Sequence, residues 1–291
     1  MRRPILWRYG RIATLVGILL TAGCGGGGGD GDGDGDDGVG PDVPGDPDAG
    51  PQAADALAAE LDAIIQNVLL PGGPPGCVTI DPLPMVDSDH DGVPDDLRFS
   101  FDLNGCRYTV DEPGAWGSTS GAVRVTDPGA AFGFDAVLEE YAVWAHLTDS
   151  TPPRDIVRSH SGETHVSGSE AAVAFSTDQT VFVDITGQPD AALAIEWSGT
   201  FVPSGPEPFR FYVLNPGSLT MTGTGSFSRN QTTIRFSLTT TTPLSWEASC
   251  PSIWPQSGVV RANVLSGATA GYLEISYTAC FQRGEVEFVP T

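Results

Sequence analysis

The sequence predicts an all-β protein: an antiparallel meander of about a dozen strands forming a curved sheet, barrel or sandwich, with one N-terminal amphipathic helix packed on it. Three observations carry this expectation. Among 291 residues there are 37 Gly and 24 Pro, while hydrophobic residues make up 40% and charged residues only 18%, enough for a core interrupted by many turns. After Cys77, apolar and polar residues alternate with a period of two in one run after another, which gives each run a dry and a wet face. Turn-forming residues separate successive runs, so neighbours in sequence are expected to be neighbours in the sheet.

Charge narrows the function. The chain carries 37 Asp and Glu against 14 basic residues, all of them Arg, for a net charge of -23. Such a polyanion has little with which to neutralise phosphates, which excludes a nucleic-acid binder.

Residues 1–23 have the layout of an export signal: an Arg-rich start ending at Arg11, an apolar stretch from Ile12 to Leu20, then small residues. The apolar stretch is too short to span a bilayer. Its end, Leu20-Thr21-Ala22-Gly23-Cys24, resembles the lipobox of bacterial lipoproteins, with Thr21 where Leu is commoner. The resemblance implies cleavage before Cys24, lipidation of its thiol and a membrane as partner. Acyl chains each contribute about 0.8 kcal/mol per buried CH2, so several chains on one Cys anchor stably. Position 25 is Gly rather than Asp, which by resemblance to the enterobacterial sorting rule implies the outer membrane.

Residues 24–52 contain the lipidated Cys and a tether of Gly, Asp and Pro with almost no apolar side chains, expected to be disordered. Its r.m.s. reach is roughly 30 Å. Asp30, Asp32 and Asp34 imitate the start of a calcium loop, but Gly38 and Pro41 stand where later ligands belong.

Residues 53–291 read as a single β-rich domain that begins with a helix over 53–70. Leu57, Leu61, Ile64, Ile65, Val68 and Leu69 recur on one helical face, and Pro71-Gly72 stops it. The stretch has no basic residue and carries Asp55, Glu60 and Asp62, so it is expected to cover a sheet rather than lie on lipid. In the strands that follow, Leu97, Phe99 and Phe101 oppose Arg98 and Ser100. Leu219, Met221 and Phe227 oppose Thr220, Thr222 and Thr224, and Ile234, Phe236 and Leu238 oppose Thr233, Arg235 and Ser237. Leu273, Ile275 and Tyr277 repeat the pattern, then Val286 and Phe288 against Glu285 and Glu287. Turns are expected at Gly187-Gln188-Pro189, Asn215-Pro216-Gly217, Arg229-Asn230 and Arg283-Gly284.

With Cys24 assigned to lipid, Cys77, Cys106, Cys250 and Cys280 remain, an even number that in an exported chain reads as two disulfides. Of the three connectivities, Cys77 to Cys106 and Cys250 to Cys280 is preferred. No pair has the short spacing of a zinc site.

One segment carries ion chemistry. Asp87-Ser88-Asp89-His90-Asp91-Gly92-Val93-Pro94-Asp95-Asp96 resembles the calcium loops of thrombospondin type 3 repeats and, more loosely, of EF-hands. Asp87, Asp89 and Asp91 occupy positions 1, 3 and 5, Gly92 permits the turn, Val93 offers a carbonyl and Asp95 follows at position 9. Arg98 stands where those families place an acid, leaving Asp96 or Asp102 as substitutes. The expected cofactor is structural Ca2+.

Catalytic motifs are missing: no G-x-S-x-G elbow, H-E-x-x-H helix or P-loop occurs, and the G-x-G-x-x-G spacings, as at Gly33-Asp34-Gly35-Asp36-Asp37-Gly38, lie in the Gly/Asp tether and not at a turn between a strand and a helix. His160, Glu163 and His165 invite a cluster, yet on a strand His160 points away from the other two, and a satisfied surface triplet is the preferred reading. Trp197 and Trp246 fall in phase with core residues. Trp144 shares its face with Glu140, His146 and Thr148, so Trp144 and His146 mark either a ligand platform or a strand buried on both faces. The order of helix, Cys77, Phe-rich strand, Cys106 and many strands resembles exported bacterial lipoproteins of uncharacterised function. The resulting expectation is a membrane-tethered, non-enzymatic cell-envelope lipoprotein with a calcium loop. The alternatives are a carrier of an apolar ligand in a sheet cavity and a carbohydrate-binding module using an exposed Trp.

Overall fold

A computed structural model describes residues 78–102, 107–109, 115–147, 153–205, 216–250, 254–267 and 270–291 apart from 92, 130, 170 and 283, together with Leu57, Glu60 and Leu61. The export signal, Cys24, the tether, Cys77, Cys106 and the remainder of the predicted helix lie outside the described residues.

Thirteen strands follow one another: β1 (Val78–Asp81), β2 (Asp96–Phe101), β3 (Arg107–Thr109), β4 (Ala115–Thr126), β5 (Gly133–Leu147), β6 (Arg154–Ser169), β7 (Ala172–Ile185), β8 (Ala191–Pro203), β9 (Gly217–Arg229), β10 (Thr232–Trp246), β11 (Ser257–Ser266), β12 (Gly271–Tyr277) and β13 (Glu285–Pro290). They form one antiparallel sheet. Twelve lie along its path in sequence order, and β3 pairs with β4 beside β2. This is the predicted meander. At the β9–β10 turn, Asn230 and Gln231 both take positive φ (48° and 67°) between the paired Arg229 and Thr232, the backbone of a two-residue hairpin that matches strand twist.

Alternation fixes which side is dry. Val181, Leu193, Phe201, Leu219, Phe236, Val260 and Leu273 are wholly buried and belong to one continuous cluster with Leu57 and Leu61. Trp197 and Trp246 lie in it as expected. Gly225 occupies an inward position of β9 where a Cβ would stand 2.5 Å from Phe236 Cζ, so its missing side chain makes room for that ring. Leu57, Glu60 and Leu61, one face of a helix at i, i+3 and i+4, are helical and buried. Glu60 makes three hydrogen bonds of 2.9 to 3.2 Å with the Arg158 guanidinium of β6, a buried ion pair across 98 residues.

Two local findings depart from simple alternation. In β5 the inward series runs through Phe134, Ala136 and Leu138, then resumes at Tyr141 and Ala145. Between Ser120↔Ala142 and Ala122↔Glu139 the single Gly121 opposes Glu140 and Tyr141, a β-bulge with Glu140 at φ 49° and Gly121 at φ 86°. Gly121 is required there, because a Cβ would lie 2.2 Å from the Glu140 carbonyl oxygen. The second departure is Val286. It pairs with the buried Ile275 but is 42% exposed, because among the described residues no strand flanks β13 on its other edge.

Candidate functional site

The segment between β1 and β2 is a closed loop. The Asp95 N–H donates to the Val86 carbonyl at 2.9 Å, and Val93 (1% exposed) belongs to the core cluster that also holds Leu97. Within it each acidic side chain turns the chain locally. Asp87 accepts from the His90 N–H at 2.7 Å, Asp89 from the Asp91 N–H at 3.3 Å, and Asp91 from the Val93 N–H at 2.8 Å. These are the side-chain to backbone turns that Asp makes readily. His90 takes a positive φ of 67° between them. The result brings one carboxylate oxygen of each of Asp87, Asp89 and Asp91 within 4.8 Å of the others.

Asp91 bears the electrostatic strain. Burial pushes its carboxyl above the ordinary carboxylate range, the Val93 N–H partly opposes this, and Asp89, Asp127 and Asp87 push it further up. Its Oδ2 is buried and has no hydrogen-bond partner among the described residues. A buried acceptor of this kind calls for a partner. Three carboxylates in alternate positions around it suit a hard, oxygen-seeking divalent cation.

Other predicted ligands stand differently. Asp95 is turned to Ser88, accepting from its N–H at 2.8 Å and its hydroxyl at 2.6 Å, and these bonds hold the Asp95 carboxyl below the usual range. It does not join the group of three. Asp96 is not a free substitute for the acid missing at Arg98, because both its oxygens bind the Arg124 guanidinium at 2.8 and 3.0 Å. Asp102 is exposed at the far end of β2. The acid that sequence reading missed is Asp127. It follows β4, donates its N–H to the Asp95 carbonyl at 3.1 Å, and adds negative field at Asp91. It is 32 positions beyond Asp95, and only the β2–β4 register, Asp96↔Thr126, brings it to the loop.

The histidines separate. His165 is exposed and bonded to Asp135 at 2.6 Å, and Glu163 is exposed on the same face. His160, expected at the surface, is buried instead (6% exposed), with Gln179 Nε2 3.0 Å from its Nδ1 and its ring against Tyr141. The physical reason is the inward series of β6, in which Ile156, Arg158 and His160 precede Val166. Trp144 and His146 face outward from β5 and are half-buried, and His146 Nδ1 lies 2.5 Å from Asp155 on β6. Trp116 of β4 stands opposite His146, with ring centroids 5.2 Å apart.

The predicted Cys250–Cys280 disulfide is present, with Cα atoms 6.0 Å apart, joining the chain after β10 to the chain after β12. Closing a 30-residue loop stabilises by roughly 3.5 kcal/mol in the chain-entropy account. The partner pair Cys77 and Cys106 lies outside the described residues.

The chain matches no known protein family, no curated protein and no solved structure. Function therefore rests on the residues themselves.

Proposed function

We propose that the protein is a lipid-anchored lipoprotein of the outer membrane whose non-enzymatic β-domain is stiffened by one Ca2+ ion and presents a surface for envelope interactions. Two observations carry the calcium part: Asp87, Asp89 and Asp91 each bring one carboxylate oxygen within 4.8 Å of the others, and Asp91 Oδ2 is buried without a hydrogen-bond partner among the described residues. Those three residues would hold the ion, with Asp127 adding field, and the ion would supply charge neutralisation rather than chemistry. The lipobox-like Cys24 and the Gly/Asp tether support the anchor. For the domain we favour a strongly curved sheet with helix 53–70 as a cover. Its inner face is dry along most of its width, and among the described residues only Leu57, Leu61, Val93 and Trp254 join the core cluster from outside the strands, which supports strands that cover one another.

Calorimetric titration of the full chain with calcium tests this. Saturable binding is expected, abolished in an Asp89→Ala and Asp91→Ala double variant. Calcium at a hundredfold above Kd should stabilise by about 2.7 kcal/mol. The sign with pH follows from Asp91. Its raised folded pKa makes the calcium-free loop less stable as pH rises through it, whereas bound calcium needs the carboxylate. The calcium-induced rise in Tm should therefore be full at pH 7 and vanish below the ordinary carboxylate range. Absence of binding at millimolar calcium would reduce the loop to an acidic turn.

A further inference from the structure

The Glu140 bulge has a second effect, on the outer face. Unbroken alternation from Phe134 and Leu138 would place Trp144 inside. The extra residue turns it outward together with His146. Register then assembles an aromatic patch from two strands, with a carboxylate from a third. Trp116 lies opposite His146, and Ser118 opposite Trp144, so the two indoles are diagonal neighbours, about 7 Å apart along the pleat and within reach of one surface. Ser118 between them is 1% exposed. On the next strand Asp155 lies opposite His146 and fixes its ring, with a side chain 48% exposed and able to accept more than one hydrogen bond.

We infer that Trp116, Trp144, His146 and Asp155 form a platform that binds a neutral polysaccharide, the indoles stacking on the apolar faces of sugar rings and Asp155 accepting from their hydroxyls. The surroundings select this ligand class. Exposed Asp184, opposite Val157 next to Trp144, adds a second carboxylate. The register places one Arg, Arg107, opposite Ser118. Among the described residues of this face negative groups thus outnumber positive ones, on a chain of net charge -23, which repels an anionic glycan. A quaternary ammonium ligand needs rings around a point, whereas the register sets these aromatic residues along two neighbouring strands of one sheet face, Trp116 and His146 at an interplanar angle of 35°. The inference rests on the reading of the domain as an interaction module and names its partner. It is independent of the calcium loop, which meets the other end of β4, about 30 Å away.

Affinity electrophoresis decides it, with the full chain in a polyoxyethylene detergent run through gels containing soluble β-glucan, galactomannan or xylan. Polygalacturonate and free choline serve as the charged probes. Retardation by at least one neutral polymer is expected, weakened about tenfold or more in Trp144→Ala and in Trp116→Ala and largely kept in Trp144→Phe. Asp155→Asn, which leaves the rings in place, should weaken it several-fold and decides the matter should an Ala variant not fold. The inference is overturned by no retardation in any of the three polymers, by variants that bind like wild type, or by binding confined to polygalacturonate or choline. Repeating the gels with calcium and with chelator separates the two proposals. Glycan binding that survives chelator while calorimetry shows no calcium uptake would sink the ion alone.

Discussion

At His160, burial acts first and the neighbouring Arg158 charge second, and together they lower the imidazole pKa to about 4. The other groups facing it are the Tyr141 ring of β5 and the Gln179 amide of β7, and Arg158 is answered by Glu60. With the Gln179 amide donating to Nδ1, the ring proton sits on Nε2, and a second proton would set two donors against each other. In the unfolded chain a His titrates near 6.5. Between that value and about 4 the unfolded chain binds a proton that the folded one refuses, so stability is full above pH 6.5 and falls as pH drops towards 4. The loss amounts to ~3 kcal/mol from this group. Thermal melting of wild type and His160→Gln from pH 7.5 to 4.5 reads it: the variant should show the shallower decline, and parallel curves would remove His160 from the acid response.

Two arrangements belong to elements rather than residues. Glu163, Asp178 and Glu196 stand directly opposite one another on β6, β7 and β8, all exposed, a row of like charges that costs stability. Replacing the middle one, Asp178→Thr, should raise Tm on the order of 1 °C at low salt, with the gain shrinking as salt screens the row. A variant no more stable than wild type in dilute buffer would show that the row carries no penalty. The second arrangement is the Glu60–Arg158 pair between the N-terminal segment and β6, with side chains 8% and 10% exposed. Breaking it by Glu60→Ala should destabilise by about 3 kcal/mol, because the guanidinium is left buried and unpaired. Replacing both by Glu60→Leu and Arg158→Met should recover most of that loss. Chemical denaturation of the three variants measures it, and a double variant as unstable as Glu60→Ala would mean the pair is more than a paired charge.

On the scale of the whole molecule, the sheet has a dry face, a wet face and two ends. Most large apolar inner residues of β7–β10 are buried to a few per cent, while on β13 even Val286 is 42% exposed. A central strand has neighbours on both sides to complete its cover, and a terminal strand has one. The Cys250–Cys280 disulfide ties β10 to β12 close to this weaker end, where fewer strand contacts hold the chain. The acidic loop and the aromatic patch occupy opposite ends of β4, so one rigid strand carries both without bringing their chemistries together.

Composition, alternation and turn residues were enough to read the all-β class, the strand order, the inward Trp197 and Trp246, and the acidic loop. Each depends on residues close in sequence, and period two assigns a face without reference to any other strand. The Cys250–Cys280 pairing was legible for a different reason, since an even cysteine count leaves few partners. What only the tertiary structure decided depends on register between distant segments. Asp127 reaches Asp91 through β2–β4 pairing, Glu60 finds Arg158 across 98 residues, and His160, in the inward series of β6, is met by Tyr141 of β5 and Gln179 of β7. Trp144 is the sharpest case. One inserted residue at Glu140 reverses the faces of every position after it, and although the apolar series slips phase between Leu138 and Tyr141, only the pairing of β4 with β5 shows that one continuous strand bulges there.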